Sequence, residues 1–353
     1  MSMLIDPPHI GVLPCGPLGT IADVAGVMVG HCTLDDGPIQ TGVTVIHTHG
    51  GDQYRNKTPA AATVINGFGK SIGLMQVEEL GALETPIALT NTFGVGAVAQ
   101  AQIRAAVRAN PGIGREWPTV NPLVFECNDG YLNDIQALAV TEEHYQRASD
   151  AANIHVPRGC VGAGRGMSCF DMKGGIGTAS RVVTVAGRIY TVGALVLANF
   201  GRLPMLTLDG APVGRMLAKR AASAAHASAE KPEQGSIIMI VAIDAPLDGR
   251  QLKRLSARAA AGLARTGSVY GHGSGDIALA FSTAYTIPRD ADFITLPSLL
   301  ADTRLDPLFR ACADSVEQAI VDALWSATSL SGRDGHRRLS LLDAAPDLVQ
   351  CVP

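Results

Sequence analysis

Residues 234–244 have the sequence Gln-Gly-Ser-Ile-Ile-Met-Ile-Val-Ala-Ile-Asp, and this stretch decides the fold. The fourteen residues that precede its glycine, 221–234, are mostly Ala, Ser, Pro and charged residues. After the Gly-Ser step the chain changes at once to β-branched and long apolar residues. A short apolar run bounded by polar residues is typical of a buried strand. The stretch therefore predicts a loop, then a serine, then a strand in the core of a sheet.

The serine of this Gly-Ser step, Ser236, could react with the residue directly before it. A serine behind a glycine can attack the carbonyl of the preceding residue, because Gly235 has no Cβ to resist the bent backbone that the attack requires. Cleavage would leave Ser236 as a new N-terminus whose α-amine titrates at about 7.7 to 8.0. That range suits a general base, so one residue can be both nucleophile and base. The plain alternative is that Ser236 only begins a core strand.

The composition limits the classes of function. The 353 residues suffice for one large domain or two. Charged residues make up 17% of the chain, against the usual proportion of about a quarter, so we expect extensive burial that includes subunit interfaces. A net charge of -4 gives no electrostatic case for nucleic acid or an anionic membrane surface as a partner.

Targeting and redox features point to the cytoplasm. The longest uncharged apolar run, residues 189–201, is too short to cross a bilayer. Residues 1–8 lack the basic and apolar regions of a secretory signal. Seven cysteines are scattered without CxxC spacing, which favours reduced thiols over a disulfide framework. The sequence therefore predicts a cytoplasmic protein that does not span a membrane.

Strands and helices follow one another along the chain. Alternating or β-branched apolar runs predict further strands at 41–48, 62–68, 87–90, 118–126, 181–185, 189–200 and 277–283. Helical spacing of apolar residues predicts helices at 98–109, 140–151, 252–263 and 308–326. The glycine-rich segment 158–178 lacks the spacing of a nucleotide-binding loop, so we expect it to allow close backbone contacts or to line a pocket with amides.

Several polar residues stand at the ends of these strands, where sites often lie. They are Tyr131, Asn199, Ser236, Ser274 and Asp276. An asparagine in that position can lend its amide to a developing oxyanion. The segment 271–276, a loop flanked by glycines, is the second place where a hydroxyl and a carboxylate meet at the beginning of a strand.

Six blocks of the sequence, in the same order, resemble those of the DmpA-type aminopeptidases, which include the L-aminopeptidase/D-esterase/D-amidase and the β-peptidyl aminopeptidases. The resemblance extends from about Gly26 to His336. The blocks are Glu84-Thr85-Pro86-Ile87-Ala88-Leu89-Thr90-Asn91-Thr92, Asn128-Asp129-Gly130-Tyr131-Leu132-Asn133-Asp134, the glycines from Gly162 to Gly177, Ala198-Asn199-Phe200-Gly201, Gly235-Ser236 with its strand, and Gly273-Ser274-Gly275-Asp276.

The resemblance implies a fold and a way of maturing. The fold would be a four-layer αββα sandwich like that of the N-terminal-nucleophile hydrolases, with a different connectivity. One hydrolase domain, residues 1–353, would cut itself into a larger chain, 1–235, and a smaller chain, 236–353, that stay together. Such enzymes remove N-terminal residues from short peptides, amides and esters, use no metal or cofactor, and assemble as tetramers or larger homo-oligomers.

The resemblance also implies roles for the cleavage site and its neighbours. Ser236 corresponds to the nucleophile and Gly235 to the residue whose carbonyl is cleaved. Ser274 and Asp276 would orient and tune the hydroxyl and the amine of Ser236, since a carboxylate near an ammonium favours its charged form. The β-peptidases have a glutamate where this chain has Asp276, which is one methylene shorter. The difference bears on the reach of that carboxylate and on any preference for β-residues.

Four further residues complete the expected site. Asn199 matches the asparagine that holds the oxyanion, and Tyr131 matches a tyrosine whose hydroxyl assists it. The substrate ammonium needs an anionic partner, for which Glu126 and Asp129 are both candidates. Two other functions remain open: a self-cleaving acyltransferase or oligoamide hydrolase on the same scaffold, and an uncleaved binding protein that is not an enzyme.

Overall fold

The structure is a computed structural model that describes residues 7–222 and 234–350. Most of the leader predicted before Ser236, residues 223–233, lies outside the described residues. Within those two ranges the strands are β1 (Met28–Asp36), β2 (Ile39–His47), β3 (Asn56–Gly67), β4 (Ala82–Leu83), β5 (Ile87–Asn91), β6 (Leu123–Cys127), β7 (Ser168–Cys169), β8 (Met172–Lys173), β9 (Gly175–Val185), β10 (Arg188–Asn199), β11 (Gln234–Ile243), β12 (Gly273–Ser282), β13 (Ile287–Pro288), β14 (Leu330–Ser331) and β15 (Arg337–Arg338).

The helices cover the two main sheets. They are α1 (Leu74–Leu80), α2 (Val95–Ala109), α3 (Glu142–Asp150), α4 (Val213–Ala222), α5 (Gly249–Ser256), α6 (Ala259–Arg265), α7 (Asp306–Trp325) and α8 (Leu341–Ala344). No helix among the described residues combines the length and the apolar character that crossing a bilayer requires.

The predicted core strand is β11, and it is buried on both faces. Ile237, Met239, Val241 and Ile243 pack into one hydrophobic cluster, with helices α5, α6 and α7. Ile238 and Ile240 face the other way, into a second cluster between the two main sheets. Because successive side chains of a strand point to opposite faces, a strand with two buried faces needs the unbroken apolar run seen in the sequence.

Strand β11 lies inside a seven-stranded sheet. The main order is β13-β3-β12-β11-β10-β9. The seventh strand, β4, pairs with β3 outside this order. β11 runs antiparallel to β10 and parallel to β12, and helices α5 and α6 form the crossover between the two parallel strands. The parallel pairing begins at Gln234 and Gly273, so residues 273–276, predicted as a loop, are instead the first residues of β12.

The second main sheet has four strands in the order β1-β2-β5-β6. Its inner face shares the cluster between the sheets with β10, β11 and β12. Its outer face packs against α2 and α3 through a third cluster. Helices, sheet, sheet and helices therefore form four layers, and the predicted αββα sandwich is confirmed.

Two local features refine the predicted elements. The helix predicted at 252–263 is two helices, α5 and α6, because the Arg258 N–H donates to Leu255 O at 2.9 Å and so leaves the helical ladder. The glycine-rich segment 158–178 does bring backbones close together. A Cβ on Gly177 would lie 1.9 Å from Ala319 O, so β9 packs directly against α7.

Candidate active site

Ser236 lies at the beginning of β11, where three strand ends meet. In the sheet it is opposite Asn199, the last residue of β10, and opposite Gly275 of β12. The Ser236 Oγ donates a hydrogen bond to the Gly235 carbonyl oxygen at 2.8 Å. It accepts one from the Gly275 N–H at 3.2 Å. The hydroxyl is thus held beside the carbonyl group that precedes it.

Gly235 occupies a position that only glycine fits. Its φ of +142° lies in a region that L side chains rarely adopt. A Cβ there would also lie 2.1 Å from Asn199 O and 2.9 Å from Phe200 Cα. The close approach of β10 therefore fixes the path of the chain immediately before Ser236.

The side-chain amide of Asn199 is held at both ends. Its Oδ1 accepts a hydrogen bond from the Ser168 N–H at 2.8 Å, and its Nδ2 donates to Asn128 O at 2.9 Å. An amide nitrogen carries two hydrogens, so one is left for an oxygen atom of a substrate. Ser168 and Asn128 each contact Asn199 through a backbone group only. Such a contact leaves no pattern in the sequence, so these two roles could not be predicted from it.

Ser274 and Asp276 form a buried pair next to Ser236. The Ser274 Oγ donates to Asp276 Oδ1 at 2.6 Å, so the shorter carboxylate does reach the hydroxyl. Both side chains have no solvent exposure. Ser274 is opposite Gly235 in the parallel register. Asn66 holds this segment in place, because the two hydrogens of its Nδ2 are shared among three backbone carbonyls within hydrogen-bond distance, those of Gly271, His272 and Ser274.

The two candidate carboxylates for the substrate ammonium differ in position. Glu126, near the end of β6, lines a cavity that also reaches Ser236 and Asn199. Its Oε1 accepts from the Lys70 N–H at 2.8 Å, and its Oε2 accepts from the Thr92 hydroxyl.

Asp129 is fully buried and is absent from the lining of that cavity. Its Oδ1 accepts from Asn133 Nδ2 at 3.0 Å. Burial raises the pKa of the Asp129 carboxyl to about 7, against the lowering effect of its hydrogen bonds. Of the two carboxylates, the geometry gives only Glu126 access to a substrate.

Tyr131 lines the same cavity from a loop, with 38% of its surface exposed. Its ring stacks on the His336 ring at 4.6 Å between centroids, and the Arg338 guanidinium lies 3.7 Å from its centroid. His336 Nδ1 is also 2.7 Å from Tyr131 O. These contacts fix the ring, while its hydroxyl has no hydrogen bond to Asn199 or Ser236 in the part of the chain that the structure describes.

The cavity has a volume of about 810 Å³. Ser236, Gly235, Asn199, Glu126 and Tyr131 all line it, so five of the residues predicted from sequence come together around one space. Ser274 and Asp276 lie behind Ser236, outside the lining. Sequence reasoning missed a basic group of lining residues: Lys70, Arg202, Arg333 and Arg338.

Comparisons with known proteins show which family the chain belongs to. The family model described as peptidase family S58 matches residues 19–338. The β-peptidyl aminopeptidase BapA of Sphingosinicella microcystinivorans is 39% identical over 343 residues, which cover 91% of this chain and 85% of that protein.

Two solved structures are similar over nearly the whole chain. The PH0078 protein from Pyrococcus horikoshii OT3 is 46% identical with a TM-score of 0.91, over 98% of this chain and 97% of that one. The L-aminopeptidase D-Ala-esterase/amidase from Ochrobactrum anthropi, described as a prototype for the serine aminopeptidases and a new variant of the Ntn hydrolase fold, is 34% identical with a TM-score of 0.88 over 98% and 97%. These likenesses confirm the resemblance found in the sequence: the chain belongs to peptidase family S58.

Proposed function

We propose that this serine aminopeptidase cuts its own Gly235–Ser236 bond and then uses the freed Ser236 to release N-terminal residues from short peptides, amides and esters. One observation carries the proposal. The Ser236 Oγ lies 2.8 Å from the carbonyl oxygen of the bond to be cut, at a glycine whose backbone no other residue could adopt without a clash. Membership of peptidase family S58 and the aminopeptidases among the relatives support the reaction class.

Self-cleavage needs no group from outside the strand ends. The Ser236 Oγ attacks the Gly235 carbonyl carbon, the C–N bond breaks, and the hydroxyl proton passes to the nitrogen. The result is an ester between Gly235 and the Ser236 oxygen. Water hydrolyses this ester to a Gly235 carboxylate and a free Ser236 that carries both its hydroxyl and an α-amine.

The two pieces, residues 1–235 and 236–353, would stay together because they share one sheet. Strand β12 and all of β11 after Gly235 belong to the smaller piece. They lie between β10 and β3, which belong to the larger piece and pair with them along most of their length. Separating the pieces would break these ladders, together with the short pairing of β13 with β3, and expose the apolar clusters on both faces of the sheet.

Peptide hydrolysis then follows from the same geometry. The free α-amine of Ser236 takes the proton of its own hydroxyl, and Oγ attacks the first carbonyl of the substrate. The Asn199 Nδ2 hydrogen stabilises the oxyanion, and the Tyr131 hydroxyl assists from the loop side. The ammonium gives its proton to the leaving amine, and water hydrolyses the acyl-enzyme.

The remaining residues tune and position these groups. The Ser274–Asp276 pair adjoins the position of the new amine, where a carboxylate favours the charged form of an ammonium. Glu126 binds the ammonium of the substrate, since of the two candidate carboxylates it alone lines the cavity.

A denaturing gel and an amide assay test the proposal together. The wild-type protein should give pieces of 235 and 118 residues (353 - 235 = 118) and hydrolyse amino-acid p-nitroanilides. Ser236→Ala should stay whole and inactive. Ser282→Ala is a matched control, because Ser282 is a buried serine in the neighbouring strand β12 whose hydroxyl bonds to Ala245 O away from the cavity; that variant should still be cut.

Two results would overturn the proposal. An active enzyme that consists of one continuous polypeptide would require another catalytic group. Acetyl transfer from acetylornithine to glutamate without anilide hydrolysis would assign the scaffold to an acyltransferase instead.

A further inference from the structure

The cavity has charges of opposite sign at separate places. Glu126, near the end of β6, and Asp171 are acidic residues of its lining, and four basic side chains line it as well. Two of these basic groups already have acidic partners. Arg202 is paired with Asp171 at 2.8 Å, and Arg333 with Asp334 at 2.6 Å. An anionic part of a substrate would therefore bind most readily to a basic group that lacks such a partner.

Among the described residues, Lys70 and Arg338 are the lining groups without a carboxylate partner, and of these only Arg338 has the planar fork that matches a carboxylate. It is partly buried, and no carboxylate within residues 7–222 and 234–350 lies within ion-pair distance of it. Its Nε is 3.3 Å from Ser168 Oγ, and its guanidinium lies on the face of the Tyr131 ring at 3.7 Å. A guanidinium has five N–H donors, and the stacking leaves the two Nη groups for a planar, bidentate anion such as a carboxylate.

The contacts also connect Arg338 to the group that would hold the reacting bond. Asn199 Oδ1 is 2.8 Å from the N–H nitrogen of Ser168, and the hydroxyl of that same serine is 3.3 Å from Arg338 Nε. Only one residue, Ser168, therefore separates the guanidinium from the amide that would hold the scissile carbonyl oxygen. One peptide residue spans about 3.3 to 3.6 Å. The nearest anion that an uncharged peptide chain can bring beyond the scissile bond is the α-carboxylate of the very next residue.

We propose that Arg338 binds the free α-carboxylate of a dipeptide, so that the enzyme prefers dipeptides to otherwise identical C-terminal amides. The inference rests on the proposed function and specifies its substrate class. Glu126 would hold the ammonium at one end of the substrate and Arg338 the carboxylate at the other. A dipeptide is the peptide whose two charged ends lie one on each side of the scissile amide.

Three substrates test the inference: alanyl-alanine, alanyl-alanine amide and alanine p-nitroanilide. The wild-type enzyme should show kcat/KM about tenfold to a hundredfold higher for the acid than for the amide, the range expected of a hydrogen-bonded charge pair. Arg338→Met should bring this ratio close to one. Arg338→Lys should give an intermediate ratio, because it keeps the charge but loses the planar fork.

The matched control is Arg337→Gln. Arg337 is the exposed neighbour of Arg338 on β15 and does not line the cavity, so its variant should keep the wild-type ratio. Since each ratio is measured within one protein, a variant that folds less completely still gives a valid comparison. If Arg338→Met does not fold at all, the wild-type ratio and the Arg338→Lys ratio decide the matter.

Failure of the role of Arg338 can be distinguished from failure of the proposed function. Equal kcat/KM for acid and amide in the wild-type enzyme, or an acid preference that Arg338→Met retains, would overturn the role of Arg338 while Ser236-dependent anilide hydrolysis still supports the proposed function. No hydrolysis of any of the three substrates would overturn both.

Discussion

The two sides of the cavity are built in different ways. On one side Asn199, Ser236 and Ser274 stand at the ends of three adjacent strands, so the backbone register of the sheet fixes them relative to one another. On the other side Tyr131 is held by ring stacking on His336 and by the Arg338 guanidinium, which come from a segment about 205 residues away in the sequence. In the proposed mechanism the strand side carries the groups that break the bond, and the loop side contacts the substrate.

This difference predicts how each side responds to substitution. A reaction centre that depends on strand register has fixed distances and little room to adjust, since the strands are buried on both faces. The loop side depends on side-chain stacking. Its residues can therefore be substituted to suit different substrates while the sheet stays intact. Substitutions on the strand side should therefore act on the chemical step, and those on the loop side should act more weakly or on specificity.

The largest effect should come from Asn199, and Tyr131 provides the comparison from the loop side. Asn199→Ala should lower kcat for anilides by about a hundredfold to a thousandfold, because it removes a preorganised donor from the transition state. Tyr131→Phe should lower kcat by about tenfold or less, since one neutral hydrogen bond is worth about 0.5 to 1.5 kcal/mol. Steady-state kinetics of the two processed variants checks both values.

Circular dichroism and the gel pattern serve as controls for folding and self-cleavage of these variants. If Asn199→Ala were close to wild type in activity, Asn199 would have no place in the site. If Tyr131→Phe lost as much as Asn199→Ala, the proposed division between the strand side and the loop side would be wrong.

The same division decides what the sequence could predict. The run from Ile237 to Ile243 predicted the core strand, and the Gly-Ser step and Asn199 followed because strand ends carry local patterns. Arg338 and Ser168 could not be found in this way. Their roles depend on a ring contact with Tyr131 and on a backbone N–H, neither of which leaves a pattern in the neighbouring residues.

Glu126 and Asp129 show the limit of local patterns most clearly. Both are acidic residues at the end of the same strand, and in the sequence they were equivalent candidates. Only the path of the chain after Cys127 separates them, since it turns Asp129 into the protein, where Asn133 and other polar groups contact it. Burial of an acidic side chain cannot be inferred from its position beside a glycine.

A matched pair of variants, Glu126→Gln and Asp129→Asn, tests the different positions of these two carboxylates. The loss of activity in Glu126→Gln should be the next largest after that in Asn199→Ala. Glu126→Gln should lower kcat/KM for aminoacyl anilides by about tenfold to a hundredfold, mostly through KM, because it removes the charge that binds the substrate ammonium. Asp129→Asn, the same kind of change at a buried site outside the cavity lining, should alter kcat/KM far less. Equal losses in the two variants, or an effect confined to Asp129→Asn, would contradict the assignment of the ammonium to Glu126.

Asp129 should instead show itself in stability, while its effect on catalysis should be the smallest of those compared. The folded protein raises the pKa of this carboxyl to about 7, whereas an unfolded aspartate titrates at about 3.9. The folded state therefore binds the proton more tightly, so its contribution to the free energy of unfolding is full below about pH 4 and is lost as the pH rises towards 7. An asparagine side chain does not titrate, so the Asp129→Asn variant should gain stability relative to the parent over that interval, by about 1.4 kcal/mol for each pH unit between the two pKa values.

Urea unfolding at pH 4, 5.5 and 7 measures this difference, with both proteins in the Ser236→Ala background so that each unfolds as one uncut chain. Asp322, whose pKa burial raises to about 6, titrates in both proteins and cancels from the comparison. A stability difference that does not change between pH 4 and pH 7 would show that Asp129 is ionised in the fold throughout. The carboxylate would then have to be stabilised by its polar neighbours, of which Asn133 is one.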